Sequence, residues 1–269
     1  MDNESNTCRI HVTLAPKLNL AFYQNSVPVL RELTVINGSE KPLKGLELSL
    51  NSDPPFIKPK TWRIDAIDVG QHYRLTDLDV TLDGRLLGRL TEAELAQSNF
   101  VLKAEGETLT ASEKEIELLP RNQWGGISHM PEIIAAFVQP NEPAVEHLLK
   151  KAADILRKHG RSSLLNGYQD GAKHAWELSA AIWAAIGSMG LDYSLPPASF
   201  EHAGQKIRNP GQIADSGIAT CLDITILICA ALEQCGLNPL IVFTQGHALA
   251  GVWLKAEEFS TVVIDDITA

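Results

Sequence analysis

No lysine- or arginine-rich run offsets the acidic balance of this 269-residue chain, in which 33 Asp and Glu face 23 Lys and Arg for a formal charge of -10. Such a surface repels a phosphate backbone, so direct nucleic-acid binding by these residues is not expected. Long apolar runs are missing too: none reaches the ~18 residues that a membrane span needs. The start, Met1-Asp2-Asn3-Glu4-Ser5, lacks the basic and apolar parts of a secretory signal. A cytoplasmic location with no membrane partner is the expectation. Cysteine is scarce. Cys8, Cys221, Cys229 and Cys235 show neither CxxC nor Cys/His spacing, which leaves free thiols and gives no reason to expect a metal or another cofactor. Internal repeats and low-complexity tracts are absent, which excludes solenoid and tail-like architectures.

From about residue 8 to residue 119 the sequence reads as short strands with period-two alternation. Leu46, Leu48 and Leu50 alternate with Glu47 and Ser49, and Leu78, Val80 and Leu82 with Asp79 and Thr81, so each segment offers one apolar face to a core. Asn37-Gly38 and Asp83-Gly84 are dipeptides of tight hairpins. These features predict an all-β, immunoglobulin-like sandwich over residues 1–120, with Thr91–Gln97 open to a short inserted helix. Pro120 to Gly126 breaks the pattern, residues 121–126 read as a linker, and residues 127–269 read as a second domain of helices and strands. The whole is α+β.

In that second part Val145, Leu148, Leu149, Ala152 and Leu156 stripe a helix from about Pro143 to Gly160. Another runs from about Ala172 to Ser188, with Trp176 and Trp183 read as core anchors. Residues 217–266 then read as a helix from Cys221 to Gln234, followed by strand-like segments Asn238–Phe243, His247–Leu254 and Thr261–Asp265. Thr220 or Ser216 would cap the helix and place Cys221 in its first turn, where free N–H groups and the dipole favour a thiolate. A nucleophilic thiolate needs an imidazole to take its proton and a third group to orient that ring. His247, on the same strand face as Leu249, Gly251 and Trp253, and Asp265, on a neighbouring strand, are the available partners. Asp266 points to the other face of a regular strand and ranks behind Asp265. Each of these residues also has a plain structural reading, Cys221 as a small core residue above all.

Four pieces resemble the transglutaminase-like (papain-like) superfamily: Thr220-Cys221-Leu222-Asp223, Gly236-Leu237-Asn238-Pro239, Gly246-His247-Ala248-Leu249 and Val263-Ile264-Asp265. The resemblance implies an α/β transglutaminase-like domain over residues 127–269, with Cys221 as nucleophile, His247 as general base and Asp265 orienting the ring. It departs from the family pattern at Gly217, four residues before the cysteine rather than two, and at Leu249 and Gly251, where an aromatic and an acidic residue are usual. More widely, the stretches from Leu119 to Gly126, Ala135 to Asn141 and Pro197 to Phe200 are similar to the N-terminal region of very large bacterial superfamily-1 helicase-related proteins. No Gly-x-x-x-x-Gly-Lys-Ser/Thr phosphate loop occurs here, so the expected helicase/ATPase segments lie downstream in a longer chain of which this is an excised fragment. Two functions are compatible with these residues. One is cysteine-dependent acyl transfer on a protein or peptide substrate, as in a cysteine protease or a transglutaminase-like hydrolase. The other is a catalytically inactive sensor or docking module of the helicase-related protein.

Overall fold

Residues 8–265 are described by a computed structural model and form a mixed α+β chain that divides into two units, one ending at Arg121 and the other starting at Asn122.

The first unit contains, in chain order, β1 (Arg9–Leu14), β2 (Lys17–Leu18), α1 (Leu20–Gln24), β3 (Leu30–Ile36), β4 (Leu43–Asp53), β5 (Lys60–Ile67), β6 (His72–Arg74), α2 (Gly84–Arg89), β7 (Glu94–Ala104) and β8 (Glu107–Leu118). Two sheets result, of order β1-β3-β6 and β2-β8-β7-β4-β5. Alternation decides what is buried: Leu46, Leu48 and Leu50 of β4 are essentially inaccessible, as are Phe100 and Leu102 of β7. Leu82 is buried as well, but Leu78 and Val80 are half-buried and lie outside any strand. Their segment runs extended, held by Trp62 Nε1 on the Asp77 carbonyl (2.8 Å) and by Lys60 Nζ on the Asp79 carbonyl.

Three local expectations change. Asn37-Gly38 joins strands of different sheets rather than closing a hairpin. The buried Asn37 amide donates to the carbonyls of Lys41 and Ile67 and accepts from the Ser39 N–H, satisfying a corner that strands alone leave open. Asp83-Gly84 opens a helix, because the Asp83 carboxylate accepts from the N–H groups of Arg85 and Leu86 as an N-cap. Thr91–Gln97 supplies the start of β7 instead of a helix, its alternation satisfied by the β8 ladder.

The second unit contains β9 (Gln123–Trp124), a 3-10 helical turn (Glu132–Phe137), α3 (Pro143–Lys158), α4 (Gly171–Gly187), β10 (Asp192–Tyr193), α5 (Phe200–Ala203), β11 (Gln205–Lys206), α6 (Pro210–Ser216), β12 (Ile218–Ala219), α7 (Cys221–Gln234), β13 (Pro239–Thr244) and β14 (His247–Val252). Helix α7 is buried on nearly every side, among α3, α4 and the β13–β14 hairpin. The expected linker is not one. Gln123 and Trp124 pair with Lys206 and Gln205, and Trp124 is fully buried, stacked on Phe243 at 5.0 Å with Nε1 on the Met130 carbonyl. This crossing requires glycine: a Cβ at Gly204 would collide with the Trp124 carbonyl oxygen, and one at Gly126 with that of His202.

Helix α4 also differs from expectation. Trp176 and Trp183 are 59% and 71% exposed, on the face opposite Ala175, Leu178, Ile182 and Ala185. Both sides of this helix are apolar. The side with Ala175, Leu178, Ala181, Ile182 and Ala185 takes the interior, where α3 packs against it.

Candidate functional site at the start of helix α7

Thr220 is the N-cap of α7, and its Oγ1 accepts from the Asp223 N–H at 3.2 Å while the Asp223 carboxylate accepts from the Thr220 N–H at 2.9 Å. This capping box makes Cys221 the first helical residue. It uses the Asp223 N–H and leaves those of Cys221 and Leu222 without a partner among the described residues. Asp223 is fully buried and nonetheless saturated: the Arg208 backbone N–H and Nη1 each donate to it at 2.8 Å. A buried carboxylate is tolerated only with this kind of pairing.

Cys221 is 5% exposed. Beside it stands Tyr193, which sequence reading missed. The parallel pairing of Tyr193 with Ala219 across β10 and β12, with the Ser194 N–H on the Ala219 carbonyl at 2.9 Å, carries the phenol to the thiol. Burial pushes the Tyr193 hydroxyl above its ordinary value, and negative charge on Cys221 together with a polar contact to it pushes the same way. The half-exposed phenol of Tyr193 is thus a polar neighbour of the sulfur. The other thiols are in apolar surroundings: Cys229 is pushed up to about 12 by burial and then by Glu233, and Cys235 up to about 12 by burial.

A cleft of about 520 Å³ opens next to the N-terminus of α7, lined in part by Ser194, Gln205, Arg208, Gln212 and Thr220. Gln205 is 3% exposed; its Nε2 donates to Thr220 Oγ1 at 2.9 Å, and its Oε1 has no partner among the described residues.

His247 begins β14, as its position after Gly246 suggests, but on the outer face. Register pairs it with Thr244, and Leu249 on the same face is 47% exposed, whereas the alternate residue Ala248 is buried and Val252 packs on the core around α7. Stacking of Phe243 on Trp124 fixes this choice, since Phe243 pairs with Ala248 on the inner face. The turn is pinned by Glu201 of α5, whose Oε1 accepts the Gly246 N–H at 3.0 Å. Its own backbone N–H, and then that of Gly246, hold the Glu201 carboxyl below the usual range.

Thr261–Asp265 forms no strand. Val262 is 82% exposed and Asp265 is exposed, since β-propensity without a partner strand does not order a segment. Asp266, the second choice, lies outside the described residues. Among the described residues no hydrogen bond joins Cys221, His247 and Asp265, and no cluster of three His, Cys, Asp or Glu side chains suits a metal ion. Tyr193 neighbours Cys221, and Gln205 and the Arg208–Asp223 pair hold the cap and first turn on either side of it. Of these, only the capping box was visible locally, as Thr-x-x-Asp before an apolar run.

Compared with known proteins, the chain matches no family model and no curated protein. No helix among the described residues is long and apolar enough to cross a membrane.

Proposed function

We propose that the second unit is a transglutaminase-like module in which Cys221 is the nucleophile of an acyl transfer on a protein or peptide amide. The observation that carries this reading is that Cys221, alone among the four cysteines, stands at a helix N-terminus with a phenol beside it and an N-cap, Thr220, that lines a cleft. In the reaction the Cys221 sulfur bonds to the carbonyl carbon, and the C–N bond breaks with the amine leaving as it gains a proton. Water or a second amine then attacks the thioester and releases the thiol. The unpaired N–H groups of Cys221 and Leu222 suit the oxyanion of each step. His247 is the proton carrier by resemblance and Asp265 its orienting partner. For that role the turn at Gly246 has to bring the imidazole over the sulfur.

A second reading is favoured by a specific observation. His247 sits on the outer face and Asp265 outside any strand, as suits a catalytically inactive docking or sensor module. In both readings the first unit is an immunoglobulin-like sandwich. The chain is then the N-terminal part of a cytoplasmic helicase-related protein whose downstream segments are its nearest partners.

Incubation with an activated acetyl ester, followed by intact mass and peptide mapping, tests the first reading. It predicts one acetyl group on Cys221, lost in Cys221→Ser. An unmodified Cys221, or acetylation spread over other thiols, would favour the docking module.

A further inference from the structure

The cleft lined by Thr220, the N-cap before Cys221, has a composition at odds with the rest of the molecule. Lys206 and Arg208 line it, the amides of Asn122, Gln123, Gln205 and Gln212 surround them, and among the described residues no carboxylate does, although acidic residues outnumber basic ones 33 to 23 in the chain. Its volume of about 520 Å³ falls within the roughly 300–1,000 Å³ of small-ligand sites.

Two of the lining residues are prepared for a ligand by their own bonds. Arg208 is anchored through its backbone N–H and Nη1 to the buried Asp223, with no other partner for the guanidinium among the described residues. Its orientation is fixed while further N–H donors remain, and a guanidinium of that kind recognises a carboxylate in two-pronged fashion. Gln205 is almost wholly buried, yet one end of its amide has no partner among the described residues. Thr220 Oγ1, which already accepts the Asp223 N–H, can serve either end of that amide. Whichever end it serves, the other is left for a group entering the cleft. A peptide offers both the N–H and the C=O that such an amide takes.

We propose that the cleft is the substrate subsite of Cys221 and takes a peptide with a free carboxylate within a residue or two of the amide attacked. Arg208 grips the carboxylate and Gln205 hydrogen-bonds the peptide link. The proposal rests on the acyl-transfer reading for the role of the bound peptide, and on the cleft alone for binding.

Binding is measured on the isotope-labelled full chain carrying Cys221→Ser, titrated with a pool of N-acetyl tripeptides ending in a free carboxylate and with the same pool as carboxamides. The carboxylate pool is expected to shift the Gln205 side-chain amide and the Leu222 N–H, and to bind roughly tenfold more tightly than the carboxamide pool. Arg208→Gln should erase most of that preference. Equal binding of the two pools, or no shift with either, overturns the proposal whether or not Arg208→Gln folds. Tighter binding of inorganic phosphate than of the carboxylate pool overturns the ligand class. If the pool does not bind while Cys221 still accepts an acetyl group, the subsite is wrong and the acyl-transfer reading stands. If the pool binds and wild-type Cys221 is inert toward the ester, the substrate role is overturned.

Discussion

Arg208 holds Asp223 twice, through its backbone N–H and through Nη1, both at 2.8 Å, so one buried carboxylate ties the approach to the cleft to the first turn of α7. The same carboxylate closes the capping box on Thr220. Asp223→Ala therefore removes three accepted hydrogen bonds and leaves a guanidinium and two N–H groups without their partner.

Breaking such a pair costs about 3–5 kcal/mol when both ends are buried. The Arg208 side chain is 37% exposed, and solvent relieves part of that cost, so a loss of about 2–3 kcal/mol is expected. Urea unfolding followed by a probe in the second unit measures it. A loss below about 0.5 kcal/mol, within the range of ordinary surface changes, would mean that the pair does not hold the turn.

Tyr193→Phe keeps the ring and deletes the donor facing Cys221. A phenol next to the sulfur can donate to a thiolate, and its loss should slow Cys221 alkylation near neutral pH by roughly three- to tenfold. Stopped time courses with peptide mapping check this. Faster labelling in the variant would make Tyr193 a cover rather than a donor.

Glu201 supplies a pH test. Its folded-state pKa is depressed, so the stabilisation it gives to the Gly246 turn is present above its ordinary value of 4.5 and is lost as the pH falls through the lower folded value. The Gly246 amide resonance should titrate with a midpoint below 4.5, and Glu201→Gln should abolish that titration. A midpoint at or above the ordinary value would show that the carboxylate does not hold the turn.

The charge balance of -10 makes another expectation simple. No salt-sensitive complex with duplex or single-stranded DNA tighter than about 100 μM should form, because the cationic footprint that supplies non-specific affinity is missing. A micromolar complex weakening with salt would contradict it.

What the sequence disclosed was local. The start of α7 could be read from Thr220, one of two candidate caps before an apolar run, and the core face of β4 from the alternation of Leu46, Leu48 and Leu50. Failures came where two partners compete for one pattern. Trp176 and Trp183 lie on the solvent face of α4, while Ala175, Leu178, Ala181, Ile182 and Ala185 line the core packed against α3. Asp83-Gly84 suits a hairpin as well as an N-cap, and the chain uses the cap. Thr261-Val262-Val263-Ile264 has the composition of a strand without a strand to pair with among the described residues. Tyr193 reaches Cys221 only through the pairing of β10 with β12, two elements of two residues each with no periodicity to betray them.

The most direct measurement of the central claim is competitive alkylation of all four thiols by iodoacetamide at neutral pH, with and without His247→Ala. Cys221 is expected to label well ahead of Cys229 and Cys235, whose thiols burial pushes up to about 12, and ahead of Cys8, also raised by burial. His247→Ala should slow Cys221 severalfold, with Asp265→Ala showing a smaller effect through the ring's orientation. Labelling of Cys221 at the pace of Cys229, or a Cys221 rate indifferent to His247, would contradict the catalytic account and leave the docking module in its place.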